Sequence, residues 1–183
     1  WDVATTASWL NVAATDVFLD DDAVTFTDAA TSGSVTIAAP VSPRDVLVNN
    51  TTRAFTLGGS AIGGDGALRK SGSGTLILSS SNSFTGGTVL NTGTIQLGNA
   101  TANAGALGSG TVTLNGGILR MFSAGNDTHA GTLTNPIHVA GSARFDIPPR
   151  GGYSGRVTGA GTLEYRTGYV RGDITGKIGR AHV

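Results

Sequence analysis

Short aliphatic or alternating runs recur along the chain, and each is bounded by Gly, Ser, Asn or Asp, a pattern typical of short β-strands between turns. No window of about 11–18 residues keeps an apolar face at helical spacing without interruption by Gly or β-branched residues. The pattern therefore predicts an all-β chain with essentially no α-helix. The clearest predicted strands are 34–37, 46–48, 54–57, 75–78, 94–97, 111–114, 117–121, 137–139, 143–147 and 162–165.

A Gly-Thr-aliphatic triplet marks the start of many of these runs. Internal repetition of this kind is typical of solenoids. Taken as one series, Thr88, Thr111, Thr132 and Thr162 are separated by 23, 21 and 30 residues. The first two steps predict a single-stranded parallel β-helix with coils of 21 to 23 residues, and the third predicts a coil with an insertion around 148–152. The triplet begins at Gly74, Gly87, Gly93, Gly110, Gly131 and Gly161.

A coil of this length is stable only when it stacks on neighbours about 4.8 Å away along the axis. We expect aliphatic positions to point inward, the Thr and Gln between them to face solvent, and Gly and Asn to occupy the corners. We also expect open, uncapped coils at both ends. Predicted inward residues are Leu76, Leu78, Val89, Ile95, Leu97, Val112 and Leu114, and predicted corner residues are Asn91, Asn99, Asn115 and Asn126.

Composition removes several classes of function. The 12 basic and 12 acidic residues cancel, so no net field attracts nucleic acid or an anionic membrane. The chain has no Cys, which excludes disulfides and thiolate metal sites, and its apolar runs are too short for a membrane-spanning helix. We expect no nucleic-acid partner and no membrane insertion of this segment.

Residues 68–99 carry a longer motif: Lys-x-Gly-x-Gly-Thr-Leu-x-Leu-Ser at 70–79, Asn-x-Phe-Thr-Gly-Gly-Thr at 82–88 and Gly-Thr-Ile-x-Leu-Gly at 93–98. This motif closely resembles the autotransporter-associated β-strand repeat, or passenger-associated transport repeat. The resemblance implies a right-handed parallel β-helix from the passenger region of a large secreted bacterial protein. It also implies a role in passenger folding and export, and the family assigns no catalytic residue to the repeat.

We interpret residues 1–176 as one β-solenoid segment with the repeat core at 68–119. Residues 177–183 resemble translated sequencing-adapter sequence, and we interpret them as a non-native tail. The chain starts at Trp1 in mid-pattern, so we expect a fragment of a longer polypeptide. Its main partner is then the remainder of that polypeptide, with further β-helix coils and a C-terminal translocator barrel.

Two charged groups are candidates for chemistry. The first, an acidic cluster, supplies the oxygen ligands that Ca²⁺ prefers, but we interpret it as a solvated loop because the calcium-binding nonapeptide motif is absent. The second is the densest mixed-charge region, where a polysaccharide-degrading β-helix enzyme would place paired carboxylates. The chain has a single Glu, and strand alternation makes Arg144 and Asp146 a simple ion pair. The first group is Asp16, Asp20, Asp21 and Asp22, and the second is Arg144, Asp146, Arg150, Arg156, Glu164 and Arg166.

Other motifs are incomplete. Ser154 lies in Gly-Tyr-Ser-Gly-Arg, which breaks the nucleophile elbow at its last position. His129 and His138 are too isolated to predict a zinc site, and His182 lies in the tail that we interpret as non-native. The tripeptide at 171–173, Arg-Gly-Asp, mediates cell attachment in other proteins, and we interpret it here as coincidence. We expect no catalytic, cofactor-binding or metal-binding residue.

Our leading hypothesis is a non-catalytic passenger segment of an autotransporter-like protein, secreted or displayed at the bacterial cell surface. The alternative is an adhesin-type segment that binds host or surface glycans. A polysaccharide-degrading β-helix enzyme is the least favoured hypothesis.

Overall fold

The computed structural model describes residues 1–7, 9–11, 14–122, 131–148, 151–166, 169–170 and 181–182. This part of the chain contains short β-strands and no helix. The strands are β1 (Trp9–Asn11), β2 (Ala14–Asp16), β3 (Ala23–Thr27), β4 (Ser34–Ile37), β5 (Asp45–Asn49), β6 (Phe55–Gly59), β7 (Ala67–Ser71), β8 (Thr75–Leu78), β9 (Thr88–Leu90), β10 (Thr94–Leu97), β11 (Val112–Leu114), β12 (Ile118–Met121), β13 (Thr132–Leu133), β14 (Ile137–Val139), β15 (Ser142–Asp146), β16 (Gly152–Tyr153), β17 (Val157–Thr158), β18 (Thr162–Arg166), β19 (Tyr169–Val170) and β20 (Ala181–His182).

The strands from β3 onward pair in parallel with strands of the neighbouring coils, which makes the chain a β-solenoid. The first sheet has the order β3-β5-β7-β9-β11-β14-β17, the second sheet β4-β6-β8-β10-β12-β15-β18-β20, and the third sheet β13-β16-β19. Each coil runs from the first sheet across a tight corner to the second sheet, and returns along a third side. The predicted all-β parallel solenoid is thereby confirmed.

The third side changes character along the axis. In the early coils it is irregular, and Val41 and Ile62 form only an isolated parallel bridge. In the later coils it becomes the third sheet, where Leu133 pairs with Tyr153. The apolar side chains of this side are buried in both parts, so the core is continuous although the backbone pairing is not.

Inward side chains stack in columns from coil to coil. Of the residues predicted to point inward, only Val89 is wrong: β9 alternates so that Thr88 and Leu90 are buried and Val89 lies between them on the outer side. The expectation that Thr faces solvent fails at the same place, because Thr88 is 1% exposed. One column of the second sheet is formed by Phe55, Leu76, Ile95, Leu119, Phe145 and Tyr165.

The strand register contradicts the predicted Thr series. Thr88 pairs with Val112 in the first sheet, whereas Thr132 lies in the third sheet and Thr162 in the second. The series fails because Gly-Thr-aliphatic starts occur on all three sides of a coil. Ser142 pairs with Thr162, only 20 residues later, so the coil through 148–152 carries no insertion.

The N-terminal end also differs from the expected open coil. β1 and β2 form an antiparallel hairpin, and the rings of Trp1 and Trp9 pack on the aromatic residues of the first coil. Both Trp side chains are partly buried against the core. The expectation fails because residues before β3 lie across the apolar interior.

Candidate functional site

Buried polar side chains mark the candidate site, because such groups destabilise a fold unless they are hydrogen-bonded. In the described part of the chain they are Asn50, Lys70, Thr88, Thr94 and Asn135. Asn50 and Lys70 both lie where the chain turns from the first sheet to the second. We call this column of turns, 50–54 after β5, 72–74 after β7 and 91–93 after β9, the sheet corner.

The side chain of Lys70 points into the solenoid and fills the sheet corner. It follows Leu68 at an inward position of β7 and is 0% exposed. Its Nζ donates hydrogen bonds to the carbonyl oxygens of Ser71 at 2.6 Å and Gly72 at 2.7 Å. Burial lowers the pKa of Lys70 to about 8, and the more distant negative charge of Asp28 opposes that shift. The ammonium group is thus hydrogen-bonded to two successive carbonyl groups at the point where β7 ends and the turn begins.

Gly93, one coil later, lies against the end of the Lys70 side chain. It has a φ of +76°, which favours Gly. A Cβ on Gly93 would lie 2.9 Å from Lys70 Nζ and would overlap the carbonyl oxygen of Gly72. The Lys of one coil and the Gly of the next are therefore complementary, and each restricts what the other position can hold.

Asn50 performs a similar role between its own coil and the next coil, which contains Lys70. Its Nδ2 donates to Thr75 O at 3.0 Å and to Arg53 O, so one amide joins its own turn to β8. A Cβ on Gly74 would lie 2.5 Å from this Nδ2. The second Gly of the Lys-x-Gly-x-Gly motif is thus required by an Asn in the preceding coil.

Asn82 joins three successive coils on the third side. Its Oδ1 accepts a hydrogen bond from Ile62 N at 2.9 Å, and its Nδ2 donates to Ala106 O at 2.7 Å and to Ser80 O at 3.3 Å. Ile62 lies 20 residues before Asn82 and Ala106 lies 24 residues after it. This side chain therefore adds to the backbone bonds between these coils, such as that from Ser83 N to Ile62 O at 2.8 Å, where the third side has no strand.

Asn residues also stack on the outside of the sheet corner. Asn115 Nδ2 donates to Asn91 Oδ1 at 2.8 Å, and Asn91 Nδ2 donates to Ser71 Oγ at 3.1 Å. The corner role predicted for Asn91 and Asn115 is confirmed by this ladder. Asn126 lies outside the described residues.

The polar side chains described above connect coils by hydrogen bonds, and they are not arranged like the residues of a reactive centre. The amides of Asn50 and Asn82 and the ammonium of Lys70 contact backbone atoms of their own and adjacent coils. A shallow cavity beside them is lined by apolar side chains, including Val46, Ile62 and Phe84. This arrangement holds coils together and presents no converging set of acids, bases or nucleophiles at that cavity.

The acidic candidates bind backbone groups. Asp20 Oδ1 accepts from Ser42 N at 2.7 Å, and Asp22 Oδ2 accepts from Leu19 N at 2.8 Å. Asp16 Oδ1 accepts from Val17 N at 2.8 Å. Among the described residues, no three His, Cys, Asp or Glu side chains are placed to hold a metal ion together.

The mixed-charge candidates separate into two ion pairs and a remote Arg. Arg144 Nη2 donates to Asp146 Oδ2 at 2.8 Å, which confirms the predicted pair. Arg166 Nε donates to Glu164 Oε1 at 2.8 Å on the next strand. The register places Arg144 beside Glu164 and Asp146 beside Arg166, so charges alternate across the strands as well as along them. Arg156 is exposed before β17, and Arg150 lies outside the described residues.

The remaining sequence candidates do not come together. Ser154 is exposed, and His138 Nδ1 lies 3.3 Å from Thr158 Oγ1 on the outer side of the first sheet. His129 and the tripeptide at 171–173 lie outside the described residues. In the tail, Ala181 pairs with Tyr165, and the non-native origin of 177–183 stays a prediction. The described part of the chain has no helix long and apolar enough to cross a bilayer.

From the sequence, Lys70 and Asn82 were recognised only as motif positions, and Asn50 had no predicted role. One signal was present for Lys70: it occupies the position two residues after Leu68, where strand alternation places an inward side chain. For Asn50, two residues after the buried Val48, the same spacing gives an inward direction but no partner; Asn82 lies outside strands, where alternation gives no direction.

These features define a class of protein: a parallel β-solenoid whose coils are joined by polar side chains at one corner and along one side. Residues 68–97 match the family model of the passenger-associated-transport-repeat. The chain therefore carries this repeat, as the motif at 70–98 predicts. No curated protein and no solved structure matches the chain.

Proposed function

We propose that the chain is a non-catalytic structural segment of the passenger of an autotransporter-like protein, secreted or displayed at the bacterial surface. The observation that supports this most is that the side chains of Asn50, Lys70 and Asn82 form hydrogen bonds to backbone atoms of their own and adjacent coils. Its partner is then the remainder of its own polypeptide, including a translocator barrel.

The finer role that we propose is assistance of folding during export by stepwise addition of coils. Asn82 has its partners on three coils, so its hydrogen bonds form only as each new coil stacks. Lys70 becomes enclosed only when the turn that contains Gly93 is in place. Each added coil thus stabilises the one before it, which favours one-way movement of a chain that emerges unfolded.

The test is surface display of the full chain fused between a secretion signal and a characterised autotransporter barrel. We expect the wild-type chain to reach the surface in a protease-resistant form, and Asn82→Ala to reduce the displayed fraction severalfold. The matched control is Asn99→Ala, because Asn99 is exposed on a bend of the next coil. Equal display of Asn82→Ala and wild type, with the isolated variant shown to be destabilised, would contradict the proposed role in export.

A further inference from the structure

One turn of the solenoid carries a chemically labile sequence. Asn115 and Gly116 lie in the bend between β11 and β12 and form the one Asn-Gly step in the chain. In such a step the backbone nitrogen of Gly can attack the side-chain amide carbon of Asn, because Gly has no Cβ to hinder the approach. The side chain of Asn115 is exposed, so water reaches its amide. The turn therefore holds the groups that spontaneous deamidation needs.

The reaction proceeds through a cyclic imide. In the first step, Gly116 N forms a bond to Asn115 Cγ, the bond from Cγ to Nδ2 breaks, and Nδ2 leaves as ammonia with the proton that Gly116 N loses. This step closes a succinimide ring. In the second step, water adds to either ring carbonyl and opens the ring, which leaves aspartate or isoaspartate in place of the amide.

Stacking on the preceding coil engages both nitrogens that react. Asn115 Nδ2 donates to Asn91 Oδ1 at 2.8 Å. Gly116 N donates to Leu90 O at 3.3 Å, beside the hydrogen bond from Asn115 N to the same oxygen at 2.9 Å. Ring closure removes the hydrogen from Gly116 N and expels Nδ2, so it has to break the hydrogen bonds that these two atoms donate. The stacked coil therefore opposes the first step.

The coils on either side also leave no room for the isoaspartate product. A Cβ on Gly141 in the following coil would overlap Asn115 O, and a Cβ on Gly116 would lie 2.7 Å from Asn91 O in the preceding coil. The peptide that joins Asn115 to Gly116 is thus packed between two backbones. Isoaspartate adds one carbon to the main chain, so its backbone cannot follow this path without displacing a neighbour.

We propose that Asn115 is a deamidation site controlled by coil stacking, which reacts in the unfolded chain and is protected once the neighbouring coils are in place. Asn91 acts as a positioning residue, because it holds the amide nitrogen that has to leave. A chain that is modified before it folds then stacks poorly at this turn. This inference is independent of the proposed export function.

The first experiment follows conversion of Asn115 in the full chain at mildly alkaline pH, with and without guanidinium chloride, by peptide mapping and mass spectrometry. We expect conversion to be about tenfold or more faster in the unfolded chain, because a stacked coil opens only rarely. Asn91, which is followed by Thr92, is the internal control and should convert slowly in both samples. Equal rates at Asn115 in the folded and the unfolded chain would overturn the proposal.

The second experiment measures the same conversion in folded Asn91→Ala. We expect the rate at Asn115 to rise about threefold or more, because one of the two opposing hydrogen bonds is lost. The matched control is Thr92→Ala, which removes the hydrogen bond from Thr92 Oγ1 to Gly72 O at 3.2 Å in the same turn and leaves Asn91 in place. No increase in Asn91→Ala, or an equal increase in both variants, would refute the role of Asn91; if Asn91→Ala does not fold, the first experiment decides.

Discussion

Two regions of this solenoid join their coils by different means. On the third side of the repeat, one side chain, Asn82, links Ile62 to Ala106. On the same side of the later coils, backbone strands take over, and β13 pairs with β16. A backbone ladder uses N–H and C=O groups that nearly every residue has, whereas an amide bridge needs one residue type at one position.

The sheet corner shows the same contrast. In the repeat, Lys70 fills the corner and Gly93 leaves room for it. In the last described coils, Gly141 and Gly161 approach so closely that a Cβ on Gly161 would overlap the carbonyl oxygen of Gly141. At the later corner, the backbones of successive coils are thus in direct contact, and no side chain lies between Gly141 and Gly161. At these two places the sequence signature of the repeat coincides with side-chain hydrogen bonds that add to the backbone bonds between coils.

The largest effect is expected at the third side of the repeat. Asn82→Ala removes hydrogen bonds that join three coils and leaves Ile62 N and Ala106 O without this partner, so we expect a loss of about 2–4 kcal/mol in the free energy of unfolding. Urea denaturation followed by circular dichroism measures it. Thr132→Ala in the third sheet is the comparison, and we expect less than about 1 kcal/mol because the backbone pairing remains. Equal losses at both positions would remove the distinction between the two regions.

Strand existence and the solenoid class were predictable from the sequence because Gly-bounded runs such as 75–78 and 94–97 alternate regularly. The side of the coil on which each strand lies was not predictable, since Gly-Thr starts such as those at Thr88 and Thr132 occur on different sides of a coil. The hydrogen-bond partners of Asn50 and Asn82 were also beyond sequence reasoning. Asn50 looks like any turn residue until the fold brings Thr75 O within 3.0 Å of it.

A smaller effect, with a defined pH dependence, is expected at Lys70. Its pKa is lowered from 10.5 to about 8, so between these values the unfolded chain binds more protons and stability rises with pH. From pH 8 to 9.5 we expect a gain of about 1–2 kcal/mol. Burial raises the pKa of Tyr153 and Tyr165 to about 12, which lowers stability only above pH 10, so the window excludes them. Lys70→Met should abolish the gain, and a gain that persists in Lys70→Met would assign it to another group.

The smallest effect is expected on the charged outer side of the later coils. Asp146 contacts Arg144 and has Arg120 and Arg166 as its cross-strand neighbours, so Asp146→Asn weakens attraction to several cations at once. Because the pair is partly exposed, with side chains 28% and 20% accessible, we expect a loss of about 1 kcal/mol or less that shrinks in 1 M NaCl. Urea denaturation at low and high salt measures it, with exposed Arg156→Ala as the control. A larger, salt-independent loss would show that the later coils also depend on a specific side-chain joint, as the repeat does.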